Sequence, residues 1–277
     1  MQQQELVQAQ QVSLDLIDYF HTLCEKLNLK YYIIAGTMLG AVRHRGYIPW
    51  DVDLDVGMFR PDYEKLKEYF LNNDDETVFY SHYLNNKQHN SPHAILYLKN
   101  TIFIDTRIKS TKNQSWRGLI LDIFPLDNPP DDDKKKLQQA KKLNKYKKIL
   151  YYKNFYTSEK NSKLKIVFKK IIHMLLKVYR YRKLLSRLDK LEQKYNSNNS
   201  SKVVSMSSGY KYQKQLFDIQ VFGNPKLYQF GSKKYYGVHE YDQYLTQLYG
   251  DYMTPAPHVD LFDEYKYFIF KDNRERK

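Results

Sequence analysis

The sequence predicts a mixed α/β fold (α+β) in which a small sheet domain is followed by a basic helical region. Three observations predict it. Apolar runs at 31–35, 94–98 and 118–124 have strand length and are separated by stretches with helical or loop character. The segment DVDLDV (51–56) alternates carboxylate and apolar residue, the period of a strand with one polar and one packed face. Beyond Pro129 and Pro130, a long lysine-rich run keeps helical spacing to about Tyr195. Together these divide the chain into a core with its N-terminal helix (1–130), a basic helical region (131–200) and a C-terminal segment that packs on the core (201–277).

The elements follow in order. Residues 4–28 set Leu6, Leu14, Ile17, Leu23 and Leu27 among polar residues, the pattern of an amphipathic helix. YYIIA (31–35) is a short buried strand stopped by Gly36. TMLGAVRHR (37–45) can turn a short helix before Gly46 and Pro49 force a loop. Pro61 opens a helix to about Leu71, with Asp62 in its first turn. Short strands are expected near 77–83, 94–98, 101–106 and 118–124. NSNNSS (196–201) reads as a loop, and YDQYLTQLYG (241–250) as a helix in a tyrosine-rich tail. No internal repeat is visible.

Composition narrows the class. Apolar residues make up 42% of 277 and aromatics 16%, enough to bury a sizeable core. One cysteine, Cys24, excludes a disulfide framework and a thiolate metal cluster and fits a reducing compartment. The opening MQQQELVQAQQ has neither a basic nor an apolar leader region, and the longest apolar run, IIHMLL, is broken by His173. The expected location is cytoplasmic, peripheral on the cytoplasmic face of the membrane if the basic region binds there. The net charge of +14 is unevenly placed: from Lys134 to Lys194, 21 Lys and Arg stand against Glu159, Asp189 and Glu192, a local +18 that leaves −4 elsewhere. Such asymmetry points to a polyanionic partner for one region only.

Three aspartates carry the chemical signal. On a strand, Asp51, Asp53 and Asp55 would share one face, where unneutralised carboxylates raise one another's pKa. A divalent cation removes that penalty, and Mg²⁺ is held by one or two carboxylates plus substrate phosphates. The structural alternative is an edge strand whose charges discourage aggregation. Upstream, Gly36-Thr37 sits between a strand and a helix start, where backbone N–H groups can approach a phosphate. Asp122, in LDIFPLD, adds a carboxylate on a third strand that could complete a metal site or accept a proton; by itself it would read as structural.

These segments resemble a known family. IIAGTMLGAVRHRGYIPWDVDLDVGMFRPDYEKL (33–66), GLILDIFPLD (118–127) and YDQYLTQLYGDYM (241–253) are similar, in this order, to the blocks of the LicD family, which includes the fukutin-related proteins. The resemblance covers about a quarter of the chain and leaves 131–200 unmatched. It implies a nucleotidyltransferase-like mixed sheet flanked by helices, working as a phosphotransferase. Such enzymes move a phospho-alcohol, typically phosphocholine from CDP-choline or ribitol phosphate from CDP-ribitol, onto a hydroxyl of a cell-surface glycan such as lipopolysaccharide or a teichoic acid precursor. The family's metal carboxylates then fall on Asp53 and Asp55, with Asp122 third and Asp51 just before them. Many bacterial members carry a further Asp where this chain has Val52, and fukutin-related proteins lack it too. The family's tail carries a basic residue and a histidine after a PP; this chain reads TPAPHVDLFDEY there, with His258 the nearest equivalent.

The resulting expectation is Mg²⁺ (or Mn²⁺) on Asp53 and Asp55, bridging the diphosphate of a CDP-linked donor, with release of CMP. Asp122 would ligate the metal, accept the acceptor's proton, or both. Gly36 and Thr37 would hold a phosphate. Arg43 would reach the same diphosphate or bind carbonyls at its helix end. Trp50 would pack on the sheet or stack on a base. A choline headgroup would need an aromatic cage, for which Trp50, Trp116, Tyr210, Tyr212 and Tyr236 are candidates. The stretch 163–193 alternates apolar and basic residues as one helix, which would lie on an anionic membrane, near a lipid-linked acceptor, or pack its apolar stripe on the body. Nucleic acid is not expected, because no recognition motif accompanies the charge. Two other functions compete: NMP transfer from an NTP, and a non-catalytic membrane adaptor.

Overall fold

The computed structural model describes residues 2–105, 118–154, 162–255 and 268–274. Trp116 and His258 lie outside the described residues. In chain order the elements are α1 (Gln2–Lys26), β1 (Tyr32–Ile33), α2 (Ala35–His44), β2 (Leu54–Phe59), α3 (Arg60–Asn72), β3 (Val78–Ser81), β4 (Ala94–Leu98), β5 (Thr101–Asp105) and β6 (Ile120–Leu126). Then come α4 (Asp133–Asn154), α5 (Lys163–Leu176), α6 (Tyr181–Glu192), β7 (Lys202–Val204), β8 (Leu216–Asp218), α7 (Ile219–Phe222), β9 (Lys226–Phe230), β10 (Lys233–Gly237), α8 (Tyr241–Tyr249) and β11 (Phe268–Asp272).

Seven strands form a mixed sheet in the order β3-β4-β6-β2-β1-β10-β9. The pairs β2–β6 and β1–β10 are parallel, and the other neighbours antiparallel. Two small sheets, β5–β11 and β7–β8, complete the set. The mixed α/β expectation with a helix-flanked sheet is met. β6 runs two residues further than the apolar run suggests and contains Pro125, opposite Met58 of β2. The proline is tolerated because β4 pairs β6 only as far as Ile123, so the side without an N–H meets no neighbouring strand.

The main core lies on both sides of this sheet. α1 buries Leu6, Ala9, Leu16, Ile17, Phe20, Leu23 and Cys24, a stripe at steps of three and four that lies over β4 and β6. A second, smaller core joins Ala140, Leu143 and Leu150 of α4 to Leu184, Leu185 and Leu188 of α6 and to Val204, Met206 and Tyr212. The two are bolted together by Arg60. Its Nε and Nη2 donate to Asp127 at 2.7 and 2.6 Å, and its Nη1 donates to Asp189 of α6 at 3.0 Å. An antiparallel bridge between Asp127 and Val204 runs alongside.

Two sequence expectations are corrected. Asp51–Val56 is not a strand throughout: β2 begins at Leu54, so Asp51 and Asp53 precede it. A turn intervenes, closed by the Asp51 N–H donating to the Ile48 carbonyl (2.9 Å), and the Asp51 carboxylate accepts from the Val52 N–H at 3.0 Å. That side-chain-to-backbone bond competes with the ladder, as is usual for Asp. Nor is 163–193 one helix. It breaks at 177–180 into α5 and α6, where Lys153 Nζ of α4 donates to the Leu176 carbonyl (3.0 Å) and satisfies the end of α5. Among the described residues no helix is long and apolar enough to cross a membrane.

Candidate active site

The turn from β1 into α2 starts the site. Ala35 takes a left-handed backbone, φ 47°, unusual for a residue with a Cβ, and is held there by its N–H donating to Tyr244 Oη of α8 at 3.1 Å. The strained corner aims the first turn of α2 at the carboxylates. Gly36 follows, and its N–H donates toward the Asp55 carboxylate. A Cβ on Gly36 would stand 3.1 Å from Asp51 Oδ2 and 3.8 Å from Asp55 Oδ2. The glycine thus lets helix and acid approach without displacing the Asp51 carboxylate. Thr37 is buried, and its hydroxyl accepts the Asp55 N–H at 2.8 Å, fixing the start of β2 against α2.

Parallel pairing does the rest. Asp55 of β2 is the register partner of Asp122 of β6, which sets two carboxylates side by side on adjacent strands. The Asp55 carboxyl is raised well above the usual carboxylate range, first by burial and then by the charges of Asp122, Asp53 and Asp51. Asp51 is raised too, by burial, against the pull of the Val52 and Asp53 amides. Oδ1 of Asp122 is buried and accepts no hydrogen bond among the described residues, although His93 Nε2 stands 3.2 Å away. The same His93 nitrogen lies 3.0 Å from Ser91 Oγ, and its ring packs on Phe124.

A cavity of about 380 Å³ opens over this group. Asp51, Asp53, Asp55, Gly36, Leu39 and Phe124 line one side; Ser208, Gly209, Tyr210, Gln215 and Tyr249 line the other. Most of the far wall belongs to the loop between β7 and β8. Gln215 Nε2 donates to Ser208 Oγ (3.0 Å), Lys147 Nζ of α4 donates to the Ser208 carbonyl (2.6 Å), and Tyr210 Oη donates to Tyr249 Oη (3.1 Å). A second cleft of about 530 Å³ adjoins the first, sharing Leu39, Ile48 and Tyr249 and adding Arg43, Trp50, Asp251 and Tyr252.

The structure thus brings Asp51, Asp53, Asp55 and Gly36 to one pocket, with Asp122 beside Asp55. Arg43 and Trp50 stand in the adjoining cleft. Arg43 Nη1 donates to the Tyr252 carbonyl at 2.8 Å, so it ties α2 to the segment after α8, and burial lowers its pKa. Trp50 is half-buried against the main core. Of the tyrosines weighed for a cage, Tyr210 lines the pocket. Tyr212 is buried in the second core on Gln139, and Tyr236 bonds Glu25 away from the site. Sequence reading misses His93, Ser208, Gln215 and Tyr249. The family-like block at 241–253 contains Tyr249, but nothing local marks it as a pocket residue.

The group can receive a cation without being a finished cage. Among the described residues no three His, Cys, Asp or Glu side chains are drawn together as a ready metal site. The raised Asp51 and Asp55 carboxyls, the buried Asp122 oxygen without a hydrogen bond among the described residues and the cavity beside Gly36 nonetheless fit a site that would hold a Mg²⁺ through one or two carboxylates.

Residues 28–158 match a family described as LicD/FKTN/FKRP, nucleotidyltransferase domain. The chain is 28% identical over 265 residues to the lipopolysaccharide cholinephosphotransferase LicD of Haemophilus influenzae, covering 94% of this chain and 96% of that protein. It is 52% identical over 48 residues to an uncharacterized protein of Rickettsia prowazekii, 17% of this chain and 18% of the relative. It is 39% identical over 44 residues to the human ribitol 5-phosphate transferase FKRP, 16% of this chain and 9% of that protein.

Proposed function

The chain belongs to the LicD family through its nucleotidyltransferase domain at 28–158, and from that membership we propose that it moves a phospho-alcohol, phosphocholine first among the candidates, from a CDP-linked donor to a hydroxyl of a cell-surface glycan. It is a LicD-type transferase. The observation that carries the finer reading is the convergence of Asp51, Asp53 and Asp55 with Gly36 on one cavity of about 380 Å³, with Asp122 the register partner of Asp55 on the neighbouring strand.

The acceptor oxygen attacks the distal phosphorus of the donor, forming a P–O bond as the bond to CMP breaks. CMP leaves with the electron pair, and the hydroxyl proton passes to a carboxylate, a role this reading gives to Asp122. A Mg²⁺ held by Asp53 and Asp55, with Asp122 and Asp51 at hand, would offset charge developing on the phosphate oxygens. The chain's own part is positional. Ala35 and Gly36 set the start of α2 close to Asp51 and Asp55, Thr37 fixes β2, and the Ser208–Tyr210 loop lines the far side. The aromatic cleft of Trp50, Tyr249 and Tyr252, with Asp251 at its edge, suits a quaternary ammonium.

The test is product analysis. Incubation with CDP-choline, Mg²⁺ and a lipopolysaccharide or teichoic acid acceptor should release CMP and label the glycan. Asp53→Asn should stop both and abolish the thermal stabilisation by CDP-choline with Mg²⁺. Turnover with CDP-ribitol alone would change the alcohol. Pyrophosphate release from an NTP would overturn the reading in favour of NMP transfer.

A further inference from the structure

α1 turns its apolar stripe to the core, and α5 does the reverse. No residue of α5 is buried. Leu164 is 84% exposed and Leu175 70%, and Val167, Phe168, Ile171 and Met174 are each more than half exposed. These six recur at steps of three and four, so they form one continuous outward stripe. At about 100° per residue, Lys163, Lys170 and Lys177 border one edge of it and Lys165 the other. The orientation is fixed from beneath by α4. His173 Nδ1 donates to the Lys153 carbonyl at 2.9 Å, and Lys153 Nζ donates back to the Leu176 carbonyl.

The stripe continues through Val178, 79% exposed, into a hollow of about 360 Å³ lined by Val178, Tyr179, Arg180, Lys183, Leu184 and Arg187. Three cations thus converge on a concavity whose other walls are largely apolar. Between Ser162 and Leu188 the sequence holds nine Lys and Arg and no Asp or Glu. A second copy of the chain would set these charges against their like. A nucleic acid would satisfy the cations and leave the leucines, phenylalanine and isoleucine in water. An anionic lipid supplies both halves, a phosphate for the hollow and acyl chains for the stripe.

We propose that α5 and the turn after it form a docking surface for an anionic membrane leaflet. The Leu164–Leu175 stripe enters the acyl boundary, and Arg180, Lys183 and Arg187 clasp a lipid phosphate. The surface is separate from the pocket residues and does not depend on which alcohol is transferred.

The full chain is sedimented with vesicles of phosphatidylcholine alone or of phosphatidylcholine with phosphatidylglycerol. It should pellet with the anionic vesicles only, and added salt should weaken the binding. Phe168→Asp with Ile171→Asp should leave the protein in the supernatant. Arg180→Ala, Lys183→Ala and Arg187→Ala together should weaken binding on the order of a hundredfold, since each cation near an anionic surface contributes about fivefold. An unchanged melting temperature shows that the fold survives. Should the aspartate pair melt early, Leu164→Ser with Leu175→Ser, the two most exposed positions of the stripe, repeats the test. The proposal fails if the intact chain ignores anionic vesicles, or if the stripe variants bind as well as it does. It also fails if light scattering finds a dimer that the stripe variants dissociate, because a second copy is then the cover.

Discussion

At the scale of single residues, the site depends on a methyl group that is not there. A Cβ on Gly36 would press on Asp51 Oδ2 at 3.1 Å, tighter than ordinary contact, without meeting any backbone. Gly36→Ala should therefore fold, with a melting temperature close to that of the parent, while the carboxylate shifts by a few tenths of an ångström. If Asp51 serves the reaction as proposed, a shift of that size should lower turnover by up to about tenfold, since about 1 Å of misplacement can cost a hundredfold. A kcat measured beside the melting curve checks it: loss of both together would make Gly36 a folding residue instead. Asp53, Asp55 and Asp122 are legible in the sequence because acids among apolar residues stand out locally. His93 and Tyr249 are not, because they reach the site only through pairings that the strand order and the packing of α8 create.

At the scale of elements, Arg60 at the start of α3 decides whether the basic helices are part of the body. Its guanidinium is buried between Asp127 of the segment after β6 and Asp189 of α6, and these neighbours raise its pKa well above the usual value despite the burial. Glu192 lies 3.7 Å from the same group, yet among the described residues both its buried oxygens lack a hydrogen bond, and burial pushes its carboxyl well up. The acid is thus driven toward its neutral form, and Asp127 and Asp189 hold the ion pairs. Arg60→Ala leaves two carboxylates buried without a counter-charge and should cost about 3–5 kcal/mol. Glu192→Gln keeps the shape of a neutral acid and should change stability by less than about 0.5 kcal/mol. Urea unfolding of the two variants separates them, and a large loss in Glu192→Gln would show that the third acid is ionised. The elements themselves are mostly legible from period and punctuation. The start of β2 is not, because Asp51 gives its carboxylate to a turn amide, a choice that alternation cannot reveal. The break between α5 and α6 is not either, since no glycine or proline marks it and the carbonyl at its end is satisfied by a lysine from another helix.

At the scale of the whole molecule, the charge map marks out a basic region but does not show that this region also supports one wall of the pocket. The second core, formed by α4, α6 and the chain around β7, holds the loop that supplies Ser208, Gly209, Tyr210 and Gln215 to the cavity. Lys147 of α4 grips that loop at the Ser208 carbonyl, and burial lowers the pKa of its ammonium group. The pocket therefore has one wall on each core, joined by Arg60 and the Asp127–Val204 bridge. A cavity made in the second core should consequently be felt at the carboxylates. Leu188 is fully buried there, and Leu188→Ala should cost about 2–5 kcal/mol from lost burial and the space left behind. If the cores fold as one, the variant unfolds in a single transition at lower temperature, and its transferase activity falls along with its stability. If they fold separately, calorimetry will show two transitions with only one shifted, and the carboxylate half will keep its melting point. The continuous run of contacts from α6 through Arg60 to β6 favours the single transition, because breaking it would strand buried charge on both sides of the seam.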